Sequence, residues 1–194
     1  MPGSHKHPSD ALAPPKGFEV RRDVPLGRHP LLQVFPGLDK LPTARRQEPD
    51  AEVRARLYPS TFVEIVAQDL WMYVAPNSRL KSIRRGRFDP VLAPDVDCIV
   101  VGESHLRESP EITLFMDIFH ELCHIRQRHT GEELFDRPES YVRRPTELAA
   151  YRFVVEEARR LGVDEAFLQD YLQVEWVSEE DHLELLDAMG VSRP

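Results

Sequence analysis

Between Ile112 and Ile125 apolar side chains recur at almost every turn of a helical wheel, so the run from about 110 to 129 predicts one long, largely buried helix. Its ends are marked. Ser109 suits a cap, Pro110 the first turn and Glu111 the positive helix end, while His129-Thr130-Gly131 supplies the stop. Upstream, Val96-Asp97-Cys98-Ile99-Val100-Val101 is short, β-branched and closed by Gly102, which predicts a strand. Downstream, a helix is expected from about Thr146 to Leu161, apolar nearly all round and therefore buried. A short helix over roughly 164–173 follows, and Ser178-Glu179-Glu180-Asp181 opens a last helix that stops at Gly190. Between 50 and 75, Val53, Leu57, Phe62, Ile65, Val66, Leu70 and Tyr73 recur at helical spacing, so a helix kinked at Pro59 is expected there. A basic loop with Arg79, Lys81, Arg84, Arg85 and Arg87 comes next, and a solvated surface is its ordinary reading.

Nine of the 17 prolines fall in the first 50 residues, too close together for a helix of useful length. The chain therefore divides into a proline-rich arm, 1–48, and a domain, 49–194. Phe18, Val20, Leu31, Leu32, Val34 and Phe35 predict that 17–40 docks on the body, with 1–16 disordered. At 194 residues and 41% hydrophobic content the chain can bury a genuine core. Two cysteines, Cys98 and Cys123, are too few for a disulfide framework and read as small buried hydrophobes. No run reaches the roughly 18 apolar residues of a membrane span, and no signal-peptide pattern follows Met1, so a cytoplasmic protein is expected. The net charge of −8 argues against duplex nucleic acid as a partner. That charge is uneven: residues 131–194 carry 7 basic and 16 acidic side chains, so the acidity belongs to the C-terminal third.

The predicted central helix contains His120-Glu121-Leu122-Cys123-His124, the H-E-x-x-H pattern. Residues i and i+4 lie on one helical face, so two imidazoles can hold one zinc ion while the intervening glutamate reaches a water beside it. Zinc in a hydrolytic site takes three protein ligands. Glu147 is the expected third, because a carboxylate at the start of an otherwise apolar helix needs a cation to meet it. The bland role for Glu147 is to complement the helix dipole. Its rivals as ligand are His129, Glu139 and His182. Glu121 then acts as general base, taking a proton from the attacking water and passing it to the leaving amine. A donor to the tetrahedral oxyanion is also required, and Tyr141, Tyr151 and His182 are candidates. Tyr151 lies i+4 from Glu147 on the metal-facing side and is placed with Glu121 among the catalytic residues, with core packing as its equal alternative.

The stretch Met116-Asp117-Ile118-Phe119-His120-Glu121-Leu122-Cys123-His124-Ile125, followed by Arg128-His129-Thr130-Gly131, resembles the ImmA/IrrE group of small gluzincin-type metallopeptidases. Glu147-Leu148-Ala149-Ala150-Tyr151-Arg152-Phe153 is similar to that group's E-x-x-A-x-x-F helix, which supplies its glutamate ligand. The likeness covers about 96–160. It departs at Cys123, where the group often has glycine, and in its glutamate, which the group commonly places closer to an Ala-Asn-x-Phe-Ala element, at the position Ala149 occupies here. The resemblance implies an α+β, mainly helical, minimal zincin-like domain with a small sheet, one zinc per chain and a peptide or protein substrate, regulatory proteins among them. No helix-turn-helix accompanies it here.

Two other function classes fit parts of the pattern. A carboxylate-bridged di-iron bundle would use Glu64, Glu121 with His124, Glu147, and Glu179 with His182, leaving His120 idle. A non-catalytic binding domain of peptidase fold is the other, although the intact Glu121 speaks against it. The strand at 96–101 is expected to border the cleft as an edge that pairs with an extended peptide.

Overall fold

The computed structural model describes residues 14–40, 70–76, 83–85, 98–132, 140–174 and 176–194, with the backbone alone for 83–85 and His129. Its elements are β1 (Gly27–Pro30), α1 (Leu31–Val34), β2 (Trp71–Ala75), β3 (Ile83–Arg85), β4 (Cys98–Gly102), α2 (Glu103–Glu108), α3 (Glu111–His129), α4 (Pro145–Arg160), α5 (Glu165–Leu172) and α6 (Glu179–Met189). The described fold is thus α+β and mainly helical, with a four-stranded sheet in the order β1-β2-β4-β3. Among the described residues no helix is long and apolar enough to cross a membrane.

β4 is the interior strand. It runs parallel to β2, with Val100 opposite Tyr73, and antiparallel to β3, with Val100 opposite Arg84. All five of its residues are buried, and an unbroken apolar run without alternation is what a strand covered on both faces requires. The expectation of a free edge here for a bound peptide is therefore overturned: both edges of β4 already have partners.

The helix expected to continue to 75 gives way to strand β2. Met72 and Val74 are fully buried while Trp71 and Tyr73 are half-exposed, the period of two that a pleated strand imposes. Four bulky residues in a row, Trp71-Met72-Tyr73-Val74, fit a pleated surface better than a helix, and pairing with β4 decides the outcome. Ile83–Arg85 is likewise strand and not loop. The helical pattern over 50–69, with Glu64, and the basic residues Arg79, Lys81 and Arg87 lie outside the described residues.

Phe18, Val24, Leu31, Val34, Phe35 and Leu38, from the proline-rich N-terminal segment, are buried in the same core as the sheet and α3. Phe18 stacks on Phe35 at 5.7 Å and meets Phe115 of α3 edge-on at 5.2 Å. Burying each such ring is worth about 1.5–3 kcal/mol. Arg22 donates to the carbonyls of Leu106 and Ser109 (2.8 and 2.9 Å), satisfying the C-terminal end of α2, a helix the sequence pattern did not signal. Ser109 closes α2 instead of capping α3, whose N-cap position is Pro110.

α3 is the central element, buried along nearly its whole length, packed against α4 and beside β3. α4 is less enclosed than its sequence suggested: Ala149, Arg152, Glu156, Arg159 and Arg160 form an exposed stripe, opposite Ala150, Val154 and Ala158. Phe119 of α3 and Phe153 of α4 stack at 6.0 Å, clamping the two helices together next to His120.

Candidate metal centre

His120 and His124 project from one face of α3, one turn apart, with their Nε2 atoms 3.0 Å from each other. Pro145 occupies the first turn of α4, where its fixed φ suits a helix start, and this sets Glu147 in the same turn. Glu147 Oε2 lies 3.3 Å from His120 Nε2 and 3.2 Å from His124 Nε2. These atoms form the one His/Cys/Asp/Glu group of metal-binding geometry among the described residues. Three tetrahedral ligands each about 2.0–2.1 Å from a zinc ion stand roughly 3.3 Å apart, so the triangle has the dimensions one zinc needs.

The tautomer of His124 follows from its neighbours. Gln127 Nε2 donates to the Thr146 carbonyl at 2.9 Å, which turns Gln127 Oε1 towards His124 Nδ1, 2.8 Å away. An amide oxygen only accepts, so Nδ1 carries the proton and Nε2 is the nitrogen left to bind an ion. Gln127 also ties α3 to the first turn of α4, one residue before Glu147. His120 Nδ1, by contrast, is buried without a partner among the described residues.

Electrostatics couple the same three side chains, and the shift at His124 favours an imidazolium paired with Glu147, which must give up its Nε2 proton when an ion binds. Burial pulls the His124 imidazole down, but the hydrogen bond and charge of Glu147 outweigh it and leave its pKa above the ordinary value. Burial also pushes the Glu147 carboxyl up, and the hydrogen bonds from His120 and His124 more than reverse this, holding it well below the usual range. Glu147 is therefore ionised, the state a metal ligand requires.

Glu121 is buried on α3 beside the ligands, and its charge is felt by His124, Tyr141 and Tyr151. The Tyr151 ring packs against the His120 ring at 4.5 Å. Its hydroxyl lies 3.0 Å from that of Tyr141, in the 3-10 turn before α4, so two of the three proposed oxyanion donors form a pair. Burial, with nearby charge behind it, pushes both phenols far above their ordinary pKa, the hydrogen bond from Tyr141 offsetting only part of the rise at Tyr151. They remain neutral hydroxyls, and since one hydrogen bond between them uses one proton, the other is left to donate.

The remaining candidates are not in this group. His182 lies on α6 with its Nε2 buried and without a partner among the described residues. Glu139 and the side chain of His129 lie outside the described residues. Glu179 stands exposed at the start of α6, apart from the cluster, and His120, idle in a di-iron arrangement, is a member of it. Cys123 lines a groove of about 360 Å³ between α3 and α4 with Gln127, Ala149 and Phe153, not the ligand triangle. Both cysteines are free and buried.

Two supporting groups escaped the sequence reading. Gln127 sits three residues beyond His124 on the same helical face, a spacing that was there to be noticed. Asp117, one turn before His120, faces His105 Nε2 at 2.8 Å and accepts from the Tyr171 hydroxyl at 3.1 Å. Ser109 Oγ is 2.8 Å from the other nitrogen of His105. Asp117 thereby fastens α2 and α5 to α3, the helix that carries His120 and His124.

Compared with protein-family models, curated proteins and solved structures, the chain matches none.

Proposed function

We propose that this chain is a zinc metallopeptidase that holds one ion through His120, His124 and Glu147 and hydrolyses peptide bonds. The observation that carries this is the triangle of Nε2, Nε2 and Oε2, 3.0 to 3.3 Å on each side and supplied by two helices. The Nδ1-protonated His124, hydrogen-bonded to Gln127, is what an imidazole ligand presents. Zinc bound there supplies a Lewis acid and brings the pKa of a water towards about 7.

The chain's own residues do the rest. Glu121 takes the proton of the attacking water and delivers it to the leaving amine. The free hydroxyl proton of the Tyr141–Tyr151 pair meets the oxygen on which negative charge develops. The resemblance to ImmA/IrrE-like gluzincins supports the same assignment and, with it, a minimal zincin-like fold, a cytoplasmic setting and a peptide or regulatory protein as substrate. Nucleic acid and membrane are not partners in this reading.

Elemental analysis of protein purified without added metal tests it. One zinc per chain, lost in His120→Ala together with some thermal stability, is the expected result. Two irons per chain would favour the carboxylate-bridged alternative, and stoichiometric zinc in His120→Ala would remove the site.

A further inference from the structure

Two large apolar side chains stand in solvent among the described residues, Leu26 at 47% exposure and Trp176 at 65%. An exposed indole leaves a large apolar area unburied, and tryptophan is the residue most often found anchoring a ligand or partner. Trp176 is held in place. Val177 donates to the Val174 carbonyl at 3.1 Å, closing the turn that carries the indole, and both valines pack on the core. Ser178 then accepts from the Asp181 amide at 3.1 Å and starts α6.

The indole also has an address relative to the metal ligands. Its ring meets Tyr141 at 5.9 Å and 74°, Tyr141 meets Tyr151 at 6.3 Å, and Tyr151 meets His120 at 4.5 Å. Three such steps place Trp176 no farther from His120 than about five residues of extended peptide can reach. Its position is that of a group that can contact a substrate without taking part in the chemistry.

We infer that Trp176 is a specificity-determining residue, whose exposed face receives a bulky apolar side chain of the peptide substrate within about five residues of the scissile bond. The inference rests on the peptidase reading and adds the substrate's chemical character. Edge-on packing against Tyr141 leaves the indole most of its surface, which a phenyl or branched aliphatic group would cover. The neighbouring acids Glu179, Glu180 and Asp181 are engaged with the positive end of α6, so a lysine stacked on the indole is the weaker guest.

The test uses the zinc-loaded full chain and short serine–alanine peptides bearing a hydroxamate at either end, with a single phenylalanine or lysine moved from position to position. At one position phenylalanine should bind about tenfold more tightly than alanine and, in a Trp71→Phe background where Trp176 is the sole indole, shift its emission to the blue. Trp176→Ala should abolish that preference while zinc content, melting temperature and acetohydroxamate affinity stay unchanged. A preference absent at every position, retained in Trp176→Ala or given to lysine would overturn the inference. Failure to take up zinc or to bind acetohydroxamate would instead defeat the peptidase reading beneath it.

Discussion

His124 donates its Nδ1 proton to Gln127 Oε1 across 2.8 Å, and the other end of that amide donates to the Thr146 carbonyl. One side chain thereby sets the tautomer of a histidine on α3 and anchors the helix turn that presents Glu147. Gln127→Leu removes both bonds at similar volume. Zinc affinity, measured by competition with a chromophoric chelator, should fall by about 10- to 100-fold. An unchanged affinity would mean that the ligands are positioned by packing alone.

Glu121 is assigned to proton transfer and not to metal binding, so chemistry and binding should separate in Glu121→Gln. The amide keeps size and hydrogen-bonding reach but cannot accept the proton. Zinc content and melting temperature are expected near wild type while peptide hydrolysis falls by on the order of 10² to 10⁴. Loss of zinc along with activity would make Glu121 a ligand.

Tyr141 and Tyr151 share one hydrogen bond, and in the proposed mechanism they serve as one donor. Removing either hydroxyl, in Tyr141→Phe or Tyr151→Phe, should lower kcat by roughly 10- to 1,000-fold with little change in KM. The double variant should be barely worse than the poorer single one, because the two hydroxyls form one unit. Additive losses would show that they serve separate steps.

The thiols should be silent. Burial pushes Cys98 up to about 11, Arg28 offsetting only part of it, and raises Cys123 further still, against a weaker pull from Arg126. A raised folded-state pKa favours the protonated thiol, so its stabilising share is present below the ordinary thiol value near 9. It is lost as pH rises through about 11 for Cys98. Neither cysteine should react with iodoacetamide at pH 8 on the time scale that labels the unfolded chain. Rapid native labelling, followed by mass spectrometry, would contradict the burial of these groups.

Much of the candidate site was legible before any fold was known, because its spacing is local. An i, i+4 pair on a helix faces one way whatever surrounds it, and His120 and His124 needed only the apolar periodicity of their own segment. Glu147 was legible for a different reason: a carboxylate on the buried side of a helix demands a partner, and the paired histidines upstream were the candidates. The partnership of Tyr141 with Tyr151 was half visible, since both were candidate donors but nothing in the spacing joined them.

The sequence by itself determined the four C-terminal helices, α3 to α6, and the two-histidine face, whose geometry depends on neighbours within a turn or two. Tertiary structure alone decided that Trp71–Ala75 is a strand, that β4 is interior with no edge to offer, and that Thr146 is where Gln127 donates. Those outcomes depend on contacts between segments far apart in the chain. Strand pairing and an amide bridge exist only once two segments meet, and periodicity within either segment carries no information about its partner.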